Sequence, residues 1–160
     1  MMRIFLDTNV VIDYLAKRQP FAADACRIMT VSDSQNWELC ISSLSFTTIY
    51  YVLRKQYAHK ELLGLLADIN NAFTVLAVDG KIIEQALDSA FLDFEDAVQY
   101  YTAKEGNADV VITRNVKDYV NSAILVKTPT EFCGLLQSYD VSNGTPSLLN
   151  ESAVPYGDDD

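Results

Sequence analysis

Asp7 closes the short apolar run Arg3–Leu6, and Thr113, Arg114 and Asn115 close a second apolar run over 109–113. In a parallel α/β sheet, ligands bind outside the carboxyl ends of the strands, so polar residues that end such runs are placed to do chemistry. A third run ends in Ser42 and Ser43, and a group of acids, Asp93, Glu95 and Asp96, opens a helical stretch. Acids in a first helical turn have an ordinary role, complementing the helix dipole, and that role accounts for Asp93 and Glu95. Asp96 is different, because it precedes Ala97-Val98 on the side that should face the sheet, with Tyr100 one turn further on. A carboxylate facing a sheet edge needs a partner, and a second acid can be one only if a cation lies between them.

The elements that must hold these residues alternate along the chain. Short apolar, β-branched runs are expected at 3–6, 39–41, 73–78, 109–113 and 124–126. Helical spacing is expected over 10–16, which Pro20 terminates, and over 21–31, 44–55, 61–70, 79–90 and 94–104 (closed by Gly106), with a last helix after Pro129. Ser42 and Ser43 are candidate N-caps for the 44–55 helix and Asp79 for the next but one. Strands separated by helices predict an α/β fold: a three-layer α/β/α sandwich around a mostly parallel sheet. The folded domain is expected over 1–139. The remainder, 140–160, is rich in Ser, Asn, Gly, Pro and Asp and is expected to be a flexible acidic tail.

Composition narrows the chemistry. With 160 residues, 49% of them hydrophobic, the chain has the size of one domain with a real core. The net charge of −10 argues against a broad basic face that grips nucleic acid. The tail carries five acids and no base, which leaves 17 acids against 12 bases in the rest; a bound divalent cation would offset part of that charge. No apolar run approaches a membrane span and the N-terminus lacks a signal-peptide pattern, so a cytoplasmic location is expected. Cys26, Cys40 and Cys133 are odd in number and widely separated, and are expected to be buried apolar residues. The single histidine, His59, is expected in a loop between helices, which removes His-based catalysis and leaves Ser42, Ser43 and Ser45 without a base. Nucleotide-binding glycine motifs are absent. Tyr50, Tyr51, Tyr100 and Tyr101 could stack on bases, but at helical spacing they are expected in the core or at a dimer contact.

Three stretches share a pattern with a known family. The first is Leu6-Asp7-Thr8-Asn9-Val10-Val11-Ile12-Asp13, the second Asp96-Ala97-Val98 followed by Thr102-Ala103, and the third Ile112-Thr113-Arg114-Asn115-Val116-Lys117-Asp118-Tyr119. With these motifs the sequence resembles PIN-domain proteins, including the VapC-type ribonuclease toxins, over roughly residues 2–137. Two positions depart from the pattern. Ser42-x-x-Ser45-x-x-Thr48 places Thr48 where that family carries a glutamate, and Asn115 stands at an acidic position. A subgroup with a similar stretch around Phe94-Glu95-Asp96 suggests that Asp93 takes over the glutamate's role.

The resemblance implies a metal-dependent endoribonuclease, the toxin of a toxin–antitoxin pair, with Mg²⁺ or Mn²⁺ as cofactor, RNA as substrate, a homodimeric state and a small antitoxin as partner. Asp7 and Asp96, with Asp93, would hold the ion; Asn115 and Asp118 would complete the catalytic group. Thr8, Asn9, Thr48, Glu95, Thr113 and Arg114 would support ligands or phosphate oxygens. Mg²⁺ takes hard oxygen ligands, and phosphodiester hydrolysis needs an acidified water and a neutralised transition state, both of which a carboxylate-held cation supplies. Three other readings compete. The neutral Thr48 and Asn115 suit a non-catalytic RNA- or protein-binding PIN-like module. A haloacid-dehalogenase-type phosphotransferase would need an acid at Asn9, and a phosphoacceptor receiver domain would need its aspartate on a middle strand, where Val78-Asp79-Gly80 reads instead as a helix cap.

Overall fold

Strands that carry no alternating polar residue must be covered on both faces, and the two most apolar runs are used in that way. In the computed structural model, which describes residues 1–137, β1 (Arg3–Leu6) and β4 (Val110–Ile112) lie side by side at the middle of a five-stranded sheet. Ile4, Phe5, Leu6, Val110, Val111 and Ile112 are all fully buried. β2 (Glu38–Ser42) pairs with the other side of β1, β3 (Thr74–Leu76) with β2, and β5 (Leu125–Lys127) with β4. The order is β3-β2-β1-β4-β5 and every pairing is parallel. The expected 140–160 tail lies outside the described residues.

Helices make each crossover. α1 (Thr8–Leu15) and α2 (Ala22–Ser34) join β1 to β2, and α3 (Ser43–Leu53) and α4 (His59–Ala72) join β2 to β3. α5 (Gly80–Leu87) and α6 (Phe94–Glu105) join β3 to β4; a 3₁₀ turn, Val116–Asp118, links β4 to β5; and α7 (Pro129–Gln137) follows. Because successive strand residues point to opposite faces, Ile4, Leu6, Ile41, Val110 and Ile112 enter one core with α1 to α4 and α7. Phe5, Cys40 and Val111 enter another with Tyr100 and Ala103 of α6, against which α5 packs. The result is the expected three-layer sandwich.

Several local expectations shift, each for a visible reason. The first helix starts at Thr8 rather than Val10, because Asp7 in extended conformation (φ −61°, ψ 148°) turns the chain straight from strand into helix. Of the two serines, Ser42 caps α3, its hydroxyl accepting from Leu44 N–H at 3.2 Å, while the Ser43 hydroxyl accepts from Val78 N–H and ties α3 to the chain after β3. Asp79 caps α5 as expected, accepting from Ile82 N–H at 3.0 Å. His59 is not in a loop. It opens α4, and its Nδ1 is 2.8 Å from the Tyr50 hydroxyl. Cys40 and Cys133 are buried, but Cys26 is exposed, since its position falls on the outward side of α2. Tyr100 is a core residue, whereas Tyr51 is 66% exposed under the Arg54 guanidinium. Among the described residues no helix is long and apolar enough to cross a membrane.

Candidate functional site

The strand order decides where a site can form. From β1 the chain builds outward to β2 and β3 on one side, then returns to place β4 and β5 on the other. The connections leaving β1 and β4 therefore diverge, and a crevice opens beyond their carboxyl ends, the usual ligand position in such sheets. The backbone ladder runs to the lip of this crevice: Asp7 N–H donates to Ile112 O at 2.9 Å and Thr113 N–H to Lys127 O at 3.0 Å. The side chains of Asp7 and Thr113 are thus set by the sheet rather than by a loop.

Asp7 is 2% exposed and both its carboxylate oxygens are held by neutral donors. Thr113 Oγ1 donates to Oδ2 at 2.8 Å, and Gln99 Nε2 donates to Oδ1 at 3.2 Å. The same amide lies 2.7 Å from Thr8 Oγ1 and 3.3 Å from Ser45 Oγ, and those hydroxyls are 2.7 Å apart. Burial pushes the Asp7 carboxyl above the ordinary range, and the bonds from Thr113, Gln99 and the Thr8 backbone pull only part of the way back.

α6 brings the second carboxylate. Asp93 is its N-cap, Oδ1 accepting from Asp96 N–H at 3.0 Å. This cap orients the first turn so that Asp96, 5% exposed, faces inward, and Gln99, one turn on, reaches Asp7. The Asp96 carboxyl is pushed up to about 7, chiefly by burial, then by the negative charges of Asp7, Asp93 and Asp118, and by a hydrogen bond with Asp118. Glu95, on the exposed side of the turn, is also raised, by burial and then by Asp7 and Asp93. Asp7, Asp93, Asp96 and Asp118 therefore share one electrostatic neighbourhood. Asn115 joins it through its backbone, its N–H donating to Thr113 Oγ1 at 3.1 Å.

Other candidates are engaged elsewhere. Thr48 Oγ1 turns back to Leu44 O, one helical turn earlier, at 3.4 Å. Arg114 is neither solvated nor loose: its Nε is 3.0 Å from Asp13 Oδ2, and its guanidinium lies 4.2 Å over the Phe21 ring. Asn9 is half-buried in the first turn of α1.

Whether a divalent cation suits this cluster follows from the donors. They are hard oxygens, as Mg²⁺ and Mn²⁺ require, and among the described residues no lysine or arginine forms an ion pair with Asp7 or Asp96. Two buried acids with raised pKa values, of which only Asp7 feels a positive side chain, that of Arg114, which is not paired to it, are a donor set that a cation would relieve. The carboxylates are not drawn tight, since no group of three His, Cys, Asp or Glu among the described residues forms a ready-made metal site.

The family model for the PIN domain matches residues 3–117, which is most of the described chain. The chain belongs to the PIN-domain family. Ribonuclease VapC1 of Aquifex aeolicus is 30% identical to it over 139 residues, covering 82% of this chain and 93% of that protein. Among solved structures, VapBC-1 from nontypeable Haemophilus influenzae aligns with a TM-score of 0.62 at 22% identity, covering 81% of this chain and 99% of that one. VapBC2 from Rickettsia felis, bound to a DNA fragment from its promoter, aligns with a TM-score of 0.61 at 15% identity, covering 79% and 98%. At these identities the structural matches speak for the PIN fold alone.

This PIN domain also uses residues to which the sequence assigned no role, two of which, Asp13 and Ser45, stand in the family motifs. Gln99 and Ser45 complete the Asp7 network, and Asp13, 1% exposed, anchors Arg114. A signal existed for each: Gln99 stands one turn after Asp96, Ser45 one turn after the Ser42 cap, and Asp13 interrupts the apolar series Val10-Val11-Ile12 and Leu15. A polar residue on a buried helical face must have a partner, but helical spacing does not name it.

Proposed function

We propose that this PIN domain is a divalent-metal-dependent endoribonuclease and the toxin of a toxin–antitoxin pair. The observation that carries the reading is Asp7, a buried carboxylate at the topological switch point, held on both oxygens by neutral donors and close enough to Asp96 to raise its pKa. The kinship to Ribonuclease VapC1 supports RNA as substrate, and the VapBC complexes among the structural neighbours support an antitoxin partner. A cytoplasmic location accords with that partnership.

In this reading Asp7 and Asp96, with Asp93, hold Mg²⁺ or Mn²⁺, and Asn115 and Asp118 complete the catalytic group. The bound ion would supply acidity to the attacking water and positive charge to the phosphoryl transition state. The chain's own work is orientation. Thr113 and Gln99 fix the Asp7 plane, the Asp93 cap fixes the α6 turn that presents Asp96, and Asp118 hydrogen-bonds the Asp96 carboxyl. Thr8, Asn9, Glu95, Thr113 and Asn115 would support ligands or phosphate oxygens, Arg114 would do so only by leaving Asp13, and Thr48 would be an outer neutral group. Calorimetry with MnCl₂, paired with cleavage of a structured RNA pool in Mn²⁺ and in EDTA, tests this. Binding and cleavage that vanish together in EDTA are expected, and cleavage that persists in EDTA would overturn it.

A second reading, a PIN-like module that binds RNA or protein without cutting, is favoured by the Thr48 hydroxyl turning away to Leu44 O and by the amide at Asn115. Metal binding without cleavage would select it.

We further propose a homodimer through α3 and α4, where Leu44, Tyr51 and Leu63 are 48%, 66% and 48% exposed. Light scattering should give about twice the chain mass of 17.9 kDa, and Tyr51→Glu should shift it to the monomer value; a monomeric parent at high concentration would refute this.

A further inference from the structure

Tyr119 lies just beyond the span matched by the family and is 5% exposed. Its ring is fixed by edge contacts to Phe91, 5.5 Å between centroids, and Tyr100, 6.3 Å. A phenylalanine would supply that packing equally. The hydroxyl is the part packing does not explain, because it is buried and makes no close hydrogen bond, the Thr113 hydroxyl being the one polar neighbour that acts on it as a partner. Other phenols of this protein are treated differently. The Tyr100 hydroxyl accepts from Ala123 N–H at 3.0 Å, and the Tyr57 hydroxyl donates to Leu15 O at 3.2 Å. A buried hydroxyl left without a partner costs stability, so its retention calls for a compensating use.

The surroundings indicate that use. The charges acting on Tyr119 are those of Asp7, Asp96 and Asp93, and the Thr113 hydroxyl beside it, which already donates to Asp7 and accepts from Asn115 N–H, offers it one remaining lone pair and leaves the phenol's own acceptor sites open. The phenol thus faces the acidic cluster from the side of the 3₁₀ turn, while α6 and the β1 end close the others. We propose that the Tyr119 hydroxyl is a positioning group of the nuclease site, whose missing partner is an oxygen brought by the occupant of the cleft. This rests on the metal-nuclease reading above. The oxygen has two possible sources, the water accompanying a divalent ion or a phosphate of RNA. A phenol can accept from the first or donate to the second.

Tyr119→Phe removes the hydroxyl and keeps the ring. Thermal melts of parent and variant are compared in EDTA, in Mn²⁺, and in Mn²⁺ with a short phosphorothioate oligonucleotide, whose linkages resist hydrolysis by metal-activated water. In EDTA the variant should melt at or above the parent temperature. Mn²⁺ binding about 5-fold weaker in the variant, the worth of one hydrogen bond, identifies the ion's water as partner; a loss of that size with the oligonucleotide only identifies phosphate. A clear drop of the variant's melting temperature in EDTA, or identical ligand shifts in both proteins, overturns the proposal. A parent that shows no shift with Mn²⁺ or oligonucleotide overturns the metal-nuclease reading itself, and this inference with it.

Discussion

Asp96→Asn should abolish the stabilisation that Mn²⁺ confers on the folded protein and lower RNA cleavage by more than about 100-fold, beyond the 10–100-fold typical of residues that only orient ligands. In EDTA the same change should leave the protein as stable as the parent or more so. The direction follows from the carboxyl being raised to about 7 from 3.8 by burial and by Asp7, Asp93 and Asp118. A carboxyl whose folded pKa lies above its unfolded one favours folding fully below the unfolded value, and loses that contribution as pH rises through the folded value. The parent without metal should therefore lose stability between about pH 4 and pH 7, and the variant, which cannot ionise there, should escape this loss, on the order of 4 kcal/mol at neutral pH. An aspartate that merely capped or paired would behave oppositely, its replacement costing about 0.5–2 kcal/mol without metal. Melts of both proteins at pH 5 and pH 8, with EDTA and with excess Mn²⁺, separate the two cases. A lowered melting temperature in EDTA with the metal shift intact would remove Asp96 from the site.

Arg114→Ala should be the most destabilising substitution in the loop that carries Asn115 and Asp118, at about 3 kcal/mol near pH 7. Its partner Asp13 is only 1% exposed, while the Arg114 side chain is 30% exposed, so the two halves of the pair are unequal. Without Arg114 a buried carboxylate loses its nearest counter-charge, with Arg18 as the remaining attractive one. Without Asp13 the guanidinium can turn to water. Asp13→Asn should accordingly cost less than Arg114→Ala, and the double variant should recover much of the Arg114→Ala loss. The Asp13 carboxyl is already raised, by burial first, against the pull of Arg114 and Arg18. Removing Arg114 raises it further, so the deficit of Arg114→Ala should be fully expressed above the raised pKa and shrink as pH falls through it and the carboxyl takes up its proton. Urea unfolding at pH 4.5 and pH 7.5 on the two single variants and the double provides the check. An equal deficit at both pH values, or a double variant no better than Arg114→Ala, would show that the ion pair is not what Arg114 contributes. The Phe21 ring beneath the guanidinium would then be the contact to examine.

Chain-local chemistry determined much of this protein. Apolar runs at 3–6 and 110–112 that lack polar alternation can only be strands covered on both faces. Asp79 and Ser42 cap the helices that follow them because a short polar side chain before an apolar periodic stretch has that use. Asp7, Asp96 and the Thr113–Asn115 stretch were legible as chemistry because a polar residue at the end of a buried strand, or on the buried side of a helix start, has few structural uses, whereas Asp118 was legible only through the family resemblance. Where the elements were short, local preference decided less. The strand expected over 73–78 pairs only at Thr74–Leu76, since the ladder beside β2 ends there, and the helix expected over 61–70 begins two residues earlier, at His59, because the polar first turn lies outside the leucine period.

What only the tertiary structure decided is who meets whom. No local pattern states that β4 returns to the far side of β1 instead of extending past β3, yet that order opens the crevice and brings Thr113 to within 2.8 Å of Asp7. The same holds for Gln99, which bonds a carboxylate 92 residues away, for Arg114, which turns to Asp13 rather than outward, and for the Tyr119 hydroxyl, which is left without a close hydrogen bond against the acids. Periodicity assigns a residue to a face, because side-chain direction follows from local backbone geometry. The partner on that face comes from another element, placed by the packing of the whole sheet and its two helical layers, and a chain-local pattern carries no record of that distance.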